Sequence, residues 1–380
     1  MNVLIMSCGT GGGHNSAAMA VKAEMERGGH TVTLLNPYDL RSGKLAHVVD
    51  EAYIRVATYT PIFFGILYTL GNLYRRLPWH SPVYLLNRRM AGKMDAYFKD
   101  HPTDAVVMTH FFPGQILTGM KDKGMDVPPS VLVATDYTCL PFAEECRCEA
   151  YVIPTEDLTK SFTRRGVPEE KIYPLGIPVN SAFHHGTPRE EAKRALGMQM
   201  DKHYILISGG SIGAGKLPRT IRILDELTRE SNAVRIVVIC GSNTALYKKL
   251  KKRFGDRVDV IGSTTKMPLY MRACELYVTK AGGLSTTEAA VNGTLLALLP
   301  SIPGCESYNI HYFEKRGMGR RIHANKPSLS RMLTVLGRDA VRENMIASQH
   351  AHIHADAAER IAALTCELAE NAARQNEESA

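Results

Sequence analysis

Three apolar runs of this chain end in glycine. "NVLIM" (2–6) leads into "SCGTGGGH", "HYILIS" (203–208) into "GGSIGAG", and "LYVT" (276–279) into "KAGG". Each run reads as a buried strand, each glycine cluster as the turn leaving it, and the residues beyond as a helix. The first such helix is "SAAMAVKAEMERGG", with Asn15 or Ser16 as its cap and Gly28 as its stop. Such a chain returns through the helix to lay its next strand parallel to the last, so the pattern demands parallel sheets covered on both faces. A glycine turn at a helix start also lets a ligand press against backbone, and that ligand is usually an anion.

Other apolar runs extend the alternation. "TVTLLN" (31–36), "AVVMT" (105–109), "SVLVAT" (130–135) and "AYVIP" (150–154) are expected strands of a first domain, 1–178. "PLGIPVNSAFHHGTP" (174–188) breaks the pattern, so 179–200 is expected to be a linker with an opening helix, "REEAKRALGM". "RIVVIC" (235–240), "VDVIG" (258–262), "LYVT" (276–279) and "TLLALLP" (294–300) follow "HYILISGG" in a second domain, 201–345. A long helical stretch over roughly 328–372 closes the chain, and 346–380 is expected to pack back on the first domain. At 380 residues there is ample chain for two doubly wound cores with a cleft between them.

Charge narrows the partners. The net charge is +8 and the pI near 9.0, which suits an anionic nucleotide, nucleic acid or acidic membrane. "MNVLIM" has no basic leader before its apolar run, and the apolar stretch "PIFFGILYTLG" (61–71) is shorter than the roughly 20 residues a bilayer needs. Eight scattered cysteines, with "CRC" (146–148) the only close pair, read as reduced cytoplasmic thiols rather than a metal site.

The glycine turns argue against two common nucleotide enzymes. "GGSIGAGK" has the G-x-x-x-x-G-K spacing of a phosphate-binding loop from Gly210 to Lys216, yet Leu217 stands where magnesium needs a hydroxyl. "GTGGGH" puts His14 in the sixth place of a dinucleotide fingerprint, and the second strand ends in Asn36 rather than in an acid. "LYVTKAGGLSTTEAAVNG" (276–293) is more informative. A helix starting near Ser285 would offer its free N–H groups to a diphosphate, and Glu288, in the same first turn, could take the two hydroxyls of a ribose. Glu288 could equally do no more than complement the helix dipole.

"GTGGGHNSAA", "GGSIGAG", "TKAGGLSTTEA" and "PGCESYN" together resemble glycosyltransferase family 28, in the type of the monogalactosyl- and processive glucosyl-diacylglycerol synthases. The peptidoglycan enzyme that adds N-acetylglucosamine to lipid I is a more distant likeness. The resemblance covers residue 2 to about 325. It implies an α/β GT-B fold of two Rossmann-like doubly wound domains facing a cleft. It further implies inverting transfer from a UDP-sugar with no cofactor and no essential active-site metal. On that likeness Gly11 and Gly12 approach the donor phosphate, and Gly210, Ser211 and Gly213 meet the phosphates. Gly283, Leu284 and Ser285 cap the diphosphate, Glu288 takes the ribose, and Thr264 and Thr265 in "GSTTKM" hold the uracil. Glu306 and Asn309 face the sugar, with Cys305 where the family carries glutamine.

His14 then stands where the acceptor hydroxyl loses its proton, a role that suits a histidine kept neutral at a helix N-terminus. His110 in "MTHFFP" and Asp136 in "ATDY" are further candidates, as base or as partner of His14. The stretch 52–93 mixes aromatics with cations and has no acid from Ile54 to Lys93. Phe63, Phe64, Trp79, Arg75, Arg76, Arg88 and Arg89 are expected to meet an anionic membrane surface, and no nucleic-acid module is visible. The expected protein is a cytoplasmic enzyme, peripheral on the inner face of the cell membrane, moving glucose or galactose from UDP-glucose or UDP-galactose to diacylglycerol or glycosyl-diacylglycerol. Its rivals are a transferase with another lipid-linked or soluble acceptor, and a non-catalytic UDP-sugar sensor.

Overall fold

The computed structural model describes residues 1–9, 12–41, 61–184, 186–211, 213, 217–255, 257–300 and 303–379, with the side chains of 61–64 and 379 outside that description. The chain divides into two compact units, Met1–Asn180 with His354–Ala380, and Ser181–Ile353. Every strand pair in both is parallel.

The first unit holds β1 (Asn2–Met6), β2 (Thr31–Leu35), β3 (Ala105–Met108), β4 (Ser130–Val133), β5 (Ala150–Val152) and β6 (Ile172–Tyr173), in the order β2-β1-β3-β4-β5-β6. Strands β3 and β4 are buried at every residue, as a sheet covered on both sides requires. Alternate side chains feed two cores. Val3 and Ile5 pack with Val107, Val131 and Val152 under the helices Gly12–Arg27 and Ala357–Ser379. Leu4 and Met6 pack on the other face with Ile116, Leu117 and Met120 of the helix Phe111–Lys121. The helix after β1 begins at Gly12, not after Asn15 or Ser16: Asn15 Oδ1 accepts a 2.6 Å bond from the Ser7 hydroxyl instead of capping a helix. His14 therefore lies within the first turn.

The second unit holds β7 (His203–Ser208), β8 (Val234–Ile239), β9 (Val258–Ile261), β10 (Leu276–Lys280), β11 (Leu296–Leu299) and β12 (Arg320–Arg321), ordered β12-β11-β10-β7-β8-β9. Each sheet reverses its direction of growth once, between β1 and β3 and between β7 and β10, and ligands of such sheets bind beyond the strand carboxyl ends at that switch. The segment expected as a linker is part of this unit from Ser181 onward. Lys193, in the helix Arg189–Ala195, bonds the Lys202 carbonyl at 2.7 Å and pairs with Glu275 at 3.3 Å. The turn after β7 depends on glycine. Gly210 has φ +72°, and a Cβ at Gly241, φ +60°, would lie 2.1 Å from the Ser211 carbonyl oxygen.

The closing helical stretch is three helices, Lys326–Leu336, Asp339–His352 and Ala357–Ser379. Only the last joins the first unit, through Ile361 and Leu364. Ile361→Ala, at a fully buried position, should cost the first unit about 2–5 kcal/mol, read as an earlier denaturant transition in the intact protein.

Candidate active site

Three turns at the carboxyl edge of the first sheet bring His14, His110 and Asp136 to one recess, in which Thr109, Thr135 and the apolar Leu132, Tyr151 and Phe162 also take part. Thr109 continues the β1–β3 pairing, donating its N–H to the Met6 carbonyl at 3.2 Å. Its own carbonyl points at His14, whose Nδ1 lies 2.7 Å away. A carbonyl only accepts, so Nδ1 carries the proton and the neutral ring keeps its lone pair on Nε2. The Thr135 hydroxyl, 3.0 Å from the same Nδ1, shares that donor. Desolvation on burial lowers the His14 pKa below its ordinary 6.5, against the opposing pull of the Thr109 bond, so the ring is neutral at pH 7.

His110 stands edge-on to His14 at 4.7 Å between ring centres. Its Nδ1 accepts the Phe112 N–H at 3.1 Å, capping the helix Phe111–Lys121, and burial followed by the His14 charge holds its pKa well below 6.5. A ring that accepts a cap bond and sits 3% exposed is a fixed neutral wall. Asp136 shares the recess, and His14 Nδ1 faces the Thr109 carbonyl and the Thr135 hydroxyl. Neither threonine was singled out in the sequence. A strand-end carbonyl leaves no mark there, and Thr135 is 121 positions from His14.

In the second unit the helix Gly283–Asn292 opens directly from β10, with Gly282 as a cap that supplies no side-chain bond. It starts two residues before Ser285, so Glu288 falls in the second turn rather than the first. Gly283 and Leu284 are buried and Ser285 is half-buried, so Leu284 can offer a ligand little but its backbone. Glu288 is half-buried, no hydrogen-bond partner faces it among the described residues, and burial pushes its carboxyl up to about 8. Asn309 is fully buried and donates to the Ala281 carbonyl at 2.9 Å, bracing the turn rather than facing outward by its amide nitrogen. Glu306 accepts from Lys280 Nζ at 2.6 Å. Lys280, separated from the glycines of "TKAGG" only by Ala281, is not among the expected site residues. The Ser211 carbonyl is held by the Ser242 N–H at 2.8 Å. Thr264 Oγ1 accepts the Lys266 N–H at 3.1 Å, and Thr265 is exposed beside it, in the turn leaving the edge strand β9. Gly12 opens the first helix and Gly213 follows the β7 turn with φ +60°. Gly11 and Lys216 lie outside the described residues.

The expected membrane residues divide. Arg75 leaves the set: its Nε donates to Glu144 Oε1 at 2.7 Å and its side chain is 9% exposed. The acid that the stretch itself lacks comes from 69 positions away. Arg88 is half-buried against Gly119, whereas Arg76, Arg89 and Lys93 are exposed. Trp79 is 67% exposed, and Ile66, Leu70 and Leu73 stand exposed at helical spacing along the helix Pro61–Tyr74. Residues 52–60 and the side chains of Phe63 and Phe64 lie outside the described residues. Among the described residues no helix is long and apolar enough to cross a membrane.

Residues 14–179 match the family model of monogalactosyldiacylglycerol (MGDG) synthase, and residues 204–361 that of the glycosyltransferase family 28 C-terminal domain. The chain belongs to glycosyltransferase family 28. It is an enzyme, a glycosyltransferase. It is similar to the processive diacylglycerol beta-glucosyltransferase of Bacillus pumilus, 23% identical over 90% of this chain and 88% of that protein. It is also similar to the chloroplastic monogalactosyldiacylglycerol synthase of Spinacia oleracea, 26% identical over 93% and 69%. Among solved structures, MurG of Acinetobacter baumannii aligns with a TM-score of 0.62 at 14% identity, covering 96% of this chain and 99% of its own. The fold is GT-B. A UDP-N-acetylglucosamine 2-epimerase from Listeria monocytogenes aligns equally well, at 0.62 and 13% identity over 95% and 94%, so the architecture alone does not choose the reaction.

The Glu288 carboxyl, raised by burial, is a stability cost that grows with pH. Below its unfolded pKa of 4.5 both states are protonated and there is no cost; between 4.5 and about 8 the unfolded chain ionises first, and above that the cost is complete. Glu288→Gln should therefore raise the unfolding midpoint of the second unit at pH 8–9 and leave it unchanged below pH 4, measured by denaturant titration across that range.

Proposed function

We propose that this enzyme transfers a hexose, glucose or galactose, with inversion from a UDP-sugar to diacylglycerol or a glycosyl-diacylglycerol. It does so at the anionic inner face of the cell membrane, with no cofactor beyond the donor. The observation that carries the mechanism is the 2.7 Å bond from His14 Nδ1 to the Thr109 carbonyl. It fixes the tautomer with Nε2 basic, and desolvation keeps the ring neutral at working pH. Such a nitrogen takes the proton of an attacking hydroxyl. Supporting the acceptor class, the relatives matched over most of their length are named for diacylglycerol. Supporting the donor, Glu288 is a buried carboxyl with no hydrogen-bond partner among the described residues, and ribose hydroxyls donating to it would offset that burial. The uncapped helix N-terminus five residues earlier suits a diphosphate.

His14→Ala should lower transfer by about 10²–10⁴ while UDP affinity by calorimetry stays as in the parent. A variant that binds UDP normally and keeps more than about a tenth of the rate would return the proton to Asp136. Lipid-dependent release of UDP, with labelled product extracted into organic solvent, separates this reading from a sensor or a soluble acceptor.

The exposed apolar face of Ile66, Leu70, Leu73 and Trp79, with Arg76, Arg89 and Lys93 in the same stretch, suits an interfacial contact with anionic lipid. Replacing Leu70, Leu73 and Trp79 with serine, or Arg76 and Arg89 with serine, should release the protein from vesicles containing phosphatidylglycerol. Activity on a short-chain dispersed acceptor should persist. Unchanged co-sedimentation of both variants would remove this face as the docking surface.

A further inference from the structure

Lys280 is the last residue of β10, at the switch point of the second sheet. Its side chain runs back over the turn that leaves β7. A Cβ on Gly210 would lie 2.9 Å from Lys280 Cε and 3.9 Å from Nζ, and a Cβ on Gly282 would lie 3.6 Å from the same Nζ. The ammonium thus occupies space that two glycines, one from each turn, leave open. Glu306 Oε1 holds it at 2.6 Å, with the Glu306 side chain 4% exposed and that of Lys280 16%. A buried ion pair is by itself a weak source of stability. Here it lies at the edge of the sheet where a ligand binds, beside an uncapped helix N-terminus.

We propose that Lys280 is a catalytic residue whose ammonium, held in place by Glu306, meets the diphosphate of the donor and takes up its charge as UDP leaves. This rests on the UDP-sugar reading above. In the transfer the acceptor oxygen bonds to the sugar C1 and its proton passes to His14 Nε2. The bond from C1 to the β-phosphate oxygen breaks, and its electron pair stays on that oxygen. Negative charge therefore grows on the diphosphate through the transition state. A cation already fixed beside it stabilises that state more than the bound donor. Glu306 has a second consequence: its carboxylate keeps the ammonium aimed between the turns when no donor is bound, so no side-chain search is needed on binding.

The test compares UDP with uridine, which lacks the phosphates. Calorimetric titrations of both are made into the native protein, into Lys280→Gln/Glu306→Gln, and into Lys280→Arg. The double variant removes both charges and leaves no buried carboxylate unpaired. It should bind UDP about tenfold to hundredfold more weakly, the range for a charge-assisted hydrogen bond, and uridine as before. Unchanged uridine binding also reports an intact fold. Lys280→Arg should recover much of the preference for UDP over uridine, and kcat of the double variant should fall by more than KM rises. Equal weakening of UDP and uridine assigns the pair a structural role and overturns the proposal, as does unchanged UDP affinity. If the double variant does not fold, Lys280→Met carries the same comparison. A native protein that binds neither molecule overturns the donor reading, and this inference with it; UDP binding that ignores Lys280 overturns the inference alone.

Discussion

Parallel pairing sends the carboxyl end of every strand to one edge of its sheet, and both sheets obey it throughout. Many of the candidate site residues collect on those edges. His14 follows β1, His110 follows β3 and Asp136 follows β4. Gly210 and Ser211 follow β7, Lys280 ends β10, and Glu288 lies in the helix after it. Because the order of strands reverses between β1 and β3 and between β7 and β10, the turns on either side of each reversal diverge and leave room. Glycine fills that room with backbone rather than side chain.

Within this frame burial favours the neutral form at one group in each unit. At His14 burial disfavours the charged ring and so preserves a neutral base. At Glu288 burial disfavours the carboxylate and so leaves an acid whose hydrogen-bonding capacity is unspent. At Lys280 and Glu306 two charges bury each other. The neutral ring, the neutral acid and the paired charges all follow from one physical term, the cost of removing charge from water.

The sequence made the sheets legible because apolar runs and glycine clusters are local signals. Strands β1, β3, β7 and β10 fall where the runs put them, each shorter by a residue or two at its end or equal to it, apart from the added Lys280. The two-residue strands β6 and β12 carried no such signal; β12 is exposed at both positions. What was illegible is relational. Asn15 looked like a cap until the Ser7 hydroxyl claimed its oxygen. Arg75 looked like a lipid contact until Glu144, far along the chain, paired with it. The orientation of His14 rests on a backbone carbonyl, which every residue has and no residue type announces. Lys280 stood in plain view in "TKAGG", but its meaning comes from two glycines and a glutamate brought together by folding.

The helix Ala357–Ser379 closes the first unit, yet the whole of the second unit, Ser181–Ile353, is made before it. The chain is thus nested, one fold inserted within another. During synthesis the inner unit can complete its sheet while Val3, Ile5, Val107 and Val131 still lack one of the helices that cover them. For that interval the outer unit carries an open apolar face, and its completion waits on residues made more than 170 positions after its last strand, β6. Order of birth and order of assembly therefore differ: the part that starts first finishes last.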